Sequence, residues 1–288
     1  MSSVAARRKR RGYLPLLLPG GLWLAVFFVY PIIVMLSVSL QTGSLDEGFR
    51  LTWHFATYAD AIADFGKQII RSLGYGSLAT LAALVISYPM AYWIAFYGGR
   101  KKTSLLLLLL LPFFVSFVIR TLSWQFLLSD EGIVLGPLKH LHLLPESFHL
   151  LATPFAVVCG LTYNFLPFMA LPLYVALERI DPRLIEAAQD LYANRRQAFF
   201  KVVFRLSIPG IFAGILLTFI PAAADPINAQ ILGGVKTTMV GNIIQTQFLV
   251  NNDFPMASAL SFILMGGLLA FVFLYARALG SETIQEYV

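Results

Sequence analysis

The sequence predicts an all-α integral membrane protein of six transmembrane helices, and three observations carry that reading. Of its 288 residues 58% are hydrophobic and only 12% charged, against roughly 45–50% and about 25% in a soluble domain. Apolar runs of membrane-crossing length recur along the chain, and a hydrocarbon core about 30 Å thick needs roughly 20 such residues per helix. The Lys and Arg residues fall beside alternate ends of those runs, as topology rather than a soluble surface would arrange them.

In chain order the expected spans are 14–40, 69–97, 104–128, 151–177, 206–229 and 257–278. Five basic residues at 7–11 precede the first, giving a tail at 1–12 that resembles the start of a signal peptide. The apolar run after it is far longer than the usual 7–15 residues of such a segment, so a retained anchor is expected. The transmembrane domain then occupies 13–279 and a short tail 280–288. No internal repeat or low-complexity linker interrupts it.

Orientation follows from basic residues, which stay cytoplasmic. With the N-terminus inside, fifteen of the 21 Lys and Arg residues fall on the cytoplasmic side and six (Arg50, Lys67, Arg71, Arg120, Lys139, Lys236) on the other. Both termini are therefore expected in the cytoplasm. Asp46, Glu47, Asp60, Asp64 and further acids make the outer face mildly acidic, which weakly favours a cationic solute. The net charge of +6 does not indicate nucleic acid, because no aromatic and basic binding module surrounds it. Cys159 is the single cysteine; a disulfide framework is excluded and a small apolar filler is its natural role.

The longest polar cytoplasmic stretch, 178–209, lies between spans four and five. Asp181 followed by Pro182 makes an N-cap and first-turn pair. Leu184, Ala188 and Leu191 share one face, with Ile185 and Tyr192 beside it, so a short amphipathic helix ending near Asn194 is expected, with Arg195 and Arg196 at its C-terminal end. Read alone this could be a solvated connector.

The sequence Glu186-Ala187-Ala188, then Asp190-Leu191, and finally Ile208-Pro209-Gly210 entering the next span resembles the EAA loop of ABC importer permeases. The resemblance continues through Pro112 to Trp124, Phe219 to Gly234, Gly241 to Phe248 and Asp253 to Ser261, stretches similar to permeases of spermidine and putrescine importers. It implies a type I importer permease fold in the bacterial inner membrane and transport by alternating access. It further implies a second homologous permease, two ABC ATPase subunits that hold ATP and Mg, and an extracytoplasmic solute-binding protein. No cofactor is expected on this chain. Glu186, Ala187, Ala188, Asp190, Leu191 and Tyr192 would form the coupling helix that docks on an ATPase. Two departures stand out: Tyr192 where the family usually has Gly, and Arg205 where it often has Pro. Asn194, which tolerates the left-handed region, is expected to take over the turn. Permeases for iron, phosphonate, thiamine or sulfate share much of this framework and remain alternatives.

Charges at membrane depth cost at least about 2.5–3.5 kcal/mol and therefore mark partners or aqueous paths. Asp225, between Pro221 and Pro226, suggests a broken helix lining a cavity. It is a transient site for a polycation, half of a structural pair, or a residue near the outer interface. Arg120 is expected near the outer end of span three, pairing with an acid or with carbonyls. Trp124, Tyr163 and Asn164 are pathway candidates, since aromatic faces attract ammonium groups; helix packing is their other reading. Gly210 and Gly214 have GxxxG spacing, which lets helices approach closely.

Other signals do not hold. The Gly-Gly stretches at 98–103 and 233–238 lack the GxxxxGK[ST] spacing that cradles phosphate. His140, His142, Glu146 and His149 share an outer loop, but their spacing matches no standard zinc site and Pro145 interrupts any helix. No nucleophile elbow or HExxH occurs, so an enzyme is not expected. A secondary transporter or channel would carry coupling carboxylates in several spans, and only Asp225 approaches that.

Overall fold

A computed structural model describes residues 18–283, with side chains as far as Arg277. The basic tail at 1–12, the first residues of the expected span one, and 284–288 lie outside the described residues. The helices are α1 (Leu18–Ser39), α2 (Ala56–Tyr97), α3 (Gly99–Phe114), α4 (Phe117–Leu128), α5 (Leu135–His140), α6 (Pro154–Glu178), α7 (Pro182–Asp190), α8 (Arg195–Ala224), α9 (Ile227–Leu232), α10 (Val240–Leu249) and α11 (Phe254–Thr283), with a hairpin of β1 (Gln41–Ser44) and β2 (Gly48–Leu51). Among the described residues five helices are long and apolar enough to cross a membrane, and α3 with α4 makes a sixth span bent by 89°.

The chain forms two compact units. One comprises the described part of 1–64 together with 244–266. Its α1 is apolar on every side and exposed along most of its length, so lipid or another protein must surround it. Only its end is tied down: Ser39 Oγ lies 2.7 Å from Tyr58 Oη, and Leu40 O accepts from His54 N at 3.1 Å. The antiparallel hairpin pairs Gln41 with Leu51 and Ser44 with Gly48, and Phe49 rests against Phe254 at 5.3 Å.

The other unit, 65–243 with 267–283, has α6 and α8 at its centre. Thr153 caps α6, accepting from Ala156 N at 3.3 Å, and Pro154 opens it. The core between them holds Met169, Leu173, Leu177, Val203 and Ile211, with Ala83 and Ala91 of α2 against it. Glycines let the backbones meet: a Cβ on Gly210 would stand 2.8 Å from Pro172 O, and one on Gly214 would stand 2.7 Å from Met169 Sδ. A second cluster, Ala79, Val157, Leu161, Phe165, Ala222 and Met239, fills the layer beyond.

The structure corrects several expected boundaries. Helix α2 starts at Ala56 rather than 69 and runs 42 residues, about 63 Å at 1.5 Å per residue, so its polar first turns extend beyond any hydrocarbon core. Span three is not one helix: after the one-turn 3-10 segment Leu111–Phe114, Val115 and Ser116 are extended, with ψ of 142° and 136°. Pro112 lacks the donor that a straight helix would use. Span five begins at Arg195 and ends at Ala224, passing through Pro209 and Pro221; it breaks at Asp225, whose ψ of 123° is the extended conformation imposed on a residue before proline.

Alanine at Gly210 is expected to destabilise the protein more than alanine at Gly214, because the first Cβ meets backbone and the second meets a flexible methionine. Overpacking costs of about 1–3 kcal/mol are typical. Thermal melting of the two variants in detergent checks the order.

Candidate coupling loop and membrane-depth polar site

Helix α7 is a nine-residue amphipathic piece. Asp181 accepts from Arg183 N at 3.0 Å and Pro182 fills the first position, satisfying one orphan donor and removing another. Its inner face is Ile185 and Ala188, with Ile185 packed on the α6–α8 core. Glu186, Ala187 and Asp190 face outward, as does much of Leu184.

The helix ends at Asp190, not near Asn194, and the turn belongs to Tyr192. Ala193 N donates to Ala188 O at 3.0 Å and Tyr192 N to Gln189 O at 2.9 Å, the paired bonds of a Schellman motif. Tyr192 holds the left-handed position at φ 62°, which costs a non-glycine residue roughly 1–2 kcal/mol. Asn194 is extended instead and caps the next helix: Gln197 N donates to its Oδ1 at 2.8 Å, and its own N donates to Gln197 Oε1 at 3.0 Å. A single Asn cannot serve both roles, because a left-handed φ would turn its side chain away from Gln197. Arg195 and Arg196 accordingly open α8 rather than close α7. Leu191 and Tyr192 are left 81% and 98% exposed.

From Asn194 the chain enters α8 through a π-helical stretch, Phe199–Val203. Phe199 lies edge-on to Tyr88 and Tyr92 of α2, at 5.9 and 5.5 Å, and Tyr88 Oη is 2.9 Å from Ser207 Oγ. Lys102 Nζ meets Glu178 Oε1 at 3.2 Å on the same side. Arg205 lies within α8 and helps line a cavity of about 360 Å³ behind α7 with Arg179, Asp181 and Leu184.

At the other end of α8, Asp225 is 6% exposed. Its Oδ2 accepts from Asn228 N at 2.7 Å and from Asn228 Nδ2 at 2.9 Å. Asn228 Oδ1 in turn accepts from Asn164 Nδ2 at 3.0 Å, and Asn164 Nδ2 is also 3.0 Å from Thr121 Oγ1. Asn242 Nδ2 donates to Pro226 O and its Oδ1 accepts from Met239 N at 3.1 Å. Asn164 Oδ1 is buried without a partner among the described residues. Thr121, Asn228 and Asn242 went unnoticed in the sequence; Asn228 lies three residues after Asp225, the spacing at which an Asp side chain caps a backbone N–H, and that signal could have revealed it.

Helices α4 and α6 show a different face one residue earlier. Arg120, Trp124 and Tyr163 line one cavity of about 790 Å³ with Ile119, Leu122 and Ile133, the Trp124 and Tyr163 rings 5.6 Å apart. The acid or carbonyl partner expected for Arg120 is absent among the described residues. The guanidinium lies over Phe113 and Phe117 instead, at 5.5 and 5.6 Å, because Thr121, its neighbour, is the residue that turns toward the polar network. Beyond the end of α4, Asp130 holds Lys139 at 2.9 Å and His149 at 2.7 Å, and these bonds keep its carboxyl below the usual carboxylate range. Among the described residues no three His, Cys, Asp or Glu side chains are placed to hold a metal ion.

Residues 87–279 match the family described as binding-protein-dependent transport system inner membrane component. The chain belongs to that family. It is 38% identical to the spermidine/putrescine transport system permease protein PotB of Haemophilus influenzae over 89% of this chain and 90% of that one. The PotB of Escherichia coli is 32% identical, over 91% and 97%. A crystal structure of a bacterial ABC transporter that imports alginate contains a chain of the same fold, with a TM-score of 0.73, 18% identity, and 98% of this chain and 100% of that one covered. This is a transport subunit, and its fold is that of a type I importer permease.

Two outcomes follow from the geometry. Asp225→Ala leaves two buried donors of Asn228 unpaired, at about 1–3 kcal/mol, so it should melt well below Asp225→Asn, which retains an acceptor oxygen. Tyr192→Gly should slow exchange of the Ala193 amide, and Tyr192→Val should speed it; hydrogen exchange at that amide checks both.

Proposed function

We propose that this chain translocates polyamines across the inner membrane by alternating access, as one of two similar permeases working with two ATPase subunits and an extracytoplasmic binding protein. ATP and Mg bind on the ATPases, and both termini lie in the cytoplasm with the loop 178–209. The substrate class rests on the relatives whose names carry it, 38% and 32% identical over nearly the whole chain.

The observation that carries the coupling role is the outward face of the loop. Leu191 and Tyr192 bury almost nothing in this chain, and Tyr192 holds a strained backbone. Strain of this kind persists only where the surrounding structure over-determines it, and it clusters at functional sites. An apolar tip beside Glu186 and Asp190 suits docking into a cleft of an ATPase, with Ala187 allowing close approach. Closure of the ATPases then moves α7, and α8 carries that movement to the level of Asp225, where a carboxylate suits passing ammonium groups.

Uptake of labelled spermidine and putrescine by cells lacking this chain tests the reading. Native protein should restore uptake, and Glu186→Arg should restore less than about a tenth of it, through a lost docking contact of the 2 kcal/mol order or more. Uptake that never depended on the chain would move the substrate to another solute of related importers.

A further inference from the structure

Arg120 is 6% exposed, and neither its Nε nor its Nη1 has an acceptor among the described residues. Two aromatic faces offset part of the desolvation of a guanidinium. They supply no lone pair for its N–H groups, and an unmet charged donor at membrane depth is among the costliest states a side chain can occupy. The cavity of about 790 Å³ that Arg120 lines is the route by which an acceptor from outside this chain can reach it.

The surroundings narrow its source. On α4 the stripe Ile119, Leu122 and Phe126 is exposed beside that cavity, a helix face without a partner in this chain. Lipid tails would cover such a stripe but offer no acceptor. A polyamine would be repelled by the guanidinium. A planar carboxylate matches the fork of guanidinium donors with two parallel bonds, and a protein helix can bring one while burying the apolar stripe.

We propose that Arg120 anchors the pairing of the two permeases, taking an Asp or Glu carboxylate from a transmembrane helix of the second permease subunit that packs on α4. This rests on the reading of the chain as one of two paired permeases. The incoming carboxylate draws the guanidinium from the Phe113 and Phe117 rings toward the cavity, and the Trp124 and Tyr163 rings exclude water around the pair.

The test is recovery of the second permease with this chain, affinity-tagged and expressed with the complete importer. Arg120→Met and Arg120→Glu should lower that recovery by more than about tenfold, as breaking a buried pair does, while Arg120→Lys keeps an intermediate amount. The variants' own levels in the membrane and their melting when expressed alone should match the native chain, which separates lost pairing from misfolding. Exchanging the intramembrane Asp and Glu residues of the second permease for Arg, one at a time, should find one position that restores recovery with Arg120→Glu. Undiminished recovery with Arg120→Met and Arg120→Glu overturns the proposal: loss of uptake in that case assigns Arg120 to a translocated anion, and unchanged uptake assigns it to packing within this chain. If the native chain itself recovers no second permease, the paired-permease reading fails first.

Discussion

Hydrocarbon offers no hydrogen bonds, so every backbone donor and acceptor at membrane depth needs a partner inside the protein, and this constraint decides where the chain can be anything other than helix. Irregular backbone at that depth is confined to a few places, and each is served by polar groups. At Val115 and Ser116 the chain turns through 89°, with Val115 N bonded to Pro112 O and Arg120 N to Ser116 O, both at 3.1 Å. After Ala224 the Asp225 carboxylate receives Asn228 N, and Pro226 O receives Asn242. Thr121, Asn164 and Asn228 lie where two broken spans, α3–α4 and α8–α9, meet the unbroken α6.

That placement gives α4 and α6 two functions at once. Successive residues on a helix point about 100° apart, so Arg120 and Tyr163 line the open cavity while Thr121 and Asn164 hold the inner network. A network shared among several side chains resists slippage more than apolar packing does, since moving one member strands the others. The α4, α6 and α9 helices are thereby fixed to each other near Thr121, Asn164 and Asn228, and the cavity wall inherits its shape from that bracing.

The spans were legible because the bilayer imposes a composition as well as a length. What lay outside the hydrocarbon was not: residues 56–68 are polar enough to read as loop, yet they continue α2, since tertiary contacts at both ends of the turn, Ser39 with Tyr58 and Leu40 with His54, stabilise helix where hydropathy is silent. The bend at Val115 was hidden by the leucine run before it, which reads as uninterrupted membrane helix up to Pro112. In the loop 178–209 the presence of α7 and its cap at Asp181 could be read from residue types. The end could not, because the choice between Tyr192 and Asn194 for the left-handed position was settled by Gln197, whose side chain claims Asn194 for a capping box. Candidate residues at depth were recognisable by charge or ring, and their grouping was not: Asn164 joined Asp225 in one network, while Trp124 and Tyr163 joined Arg120 in another.

The loop and the polar site are linked by the mechanics of one element. Helix α8 runs from Arg195 to Ala224, about 45 Å at helical rise, and neither Pro209 nor Pro221 interrupts it. Its one irregular stretch, the π-turn at Phe199–Val203, is where a push from α7 would otherwise be absorbed. Phe199 is held there between Tyr88 and Tyr92, and the Tyr88 hydroxyl reaches Ser207 two turns on. Clamped on α2 at its base and set against α6 at Gly210 and Gly214, α8 can tilt or slide only with both neighbours. On the proposed coupling role, a displacement of the short helix carrying Glu186 would pass along this clamped helix toward Asp225, at its far end, where the backbone is already broken.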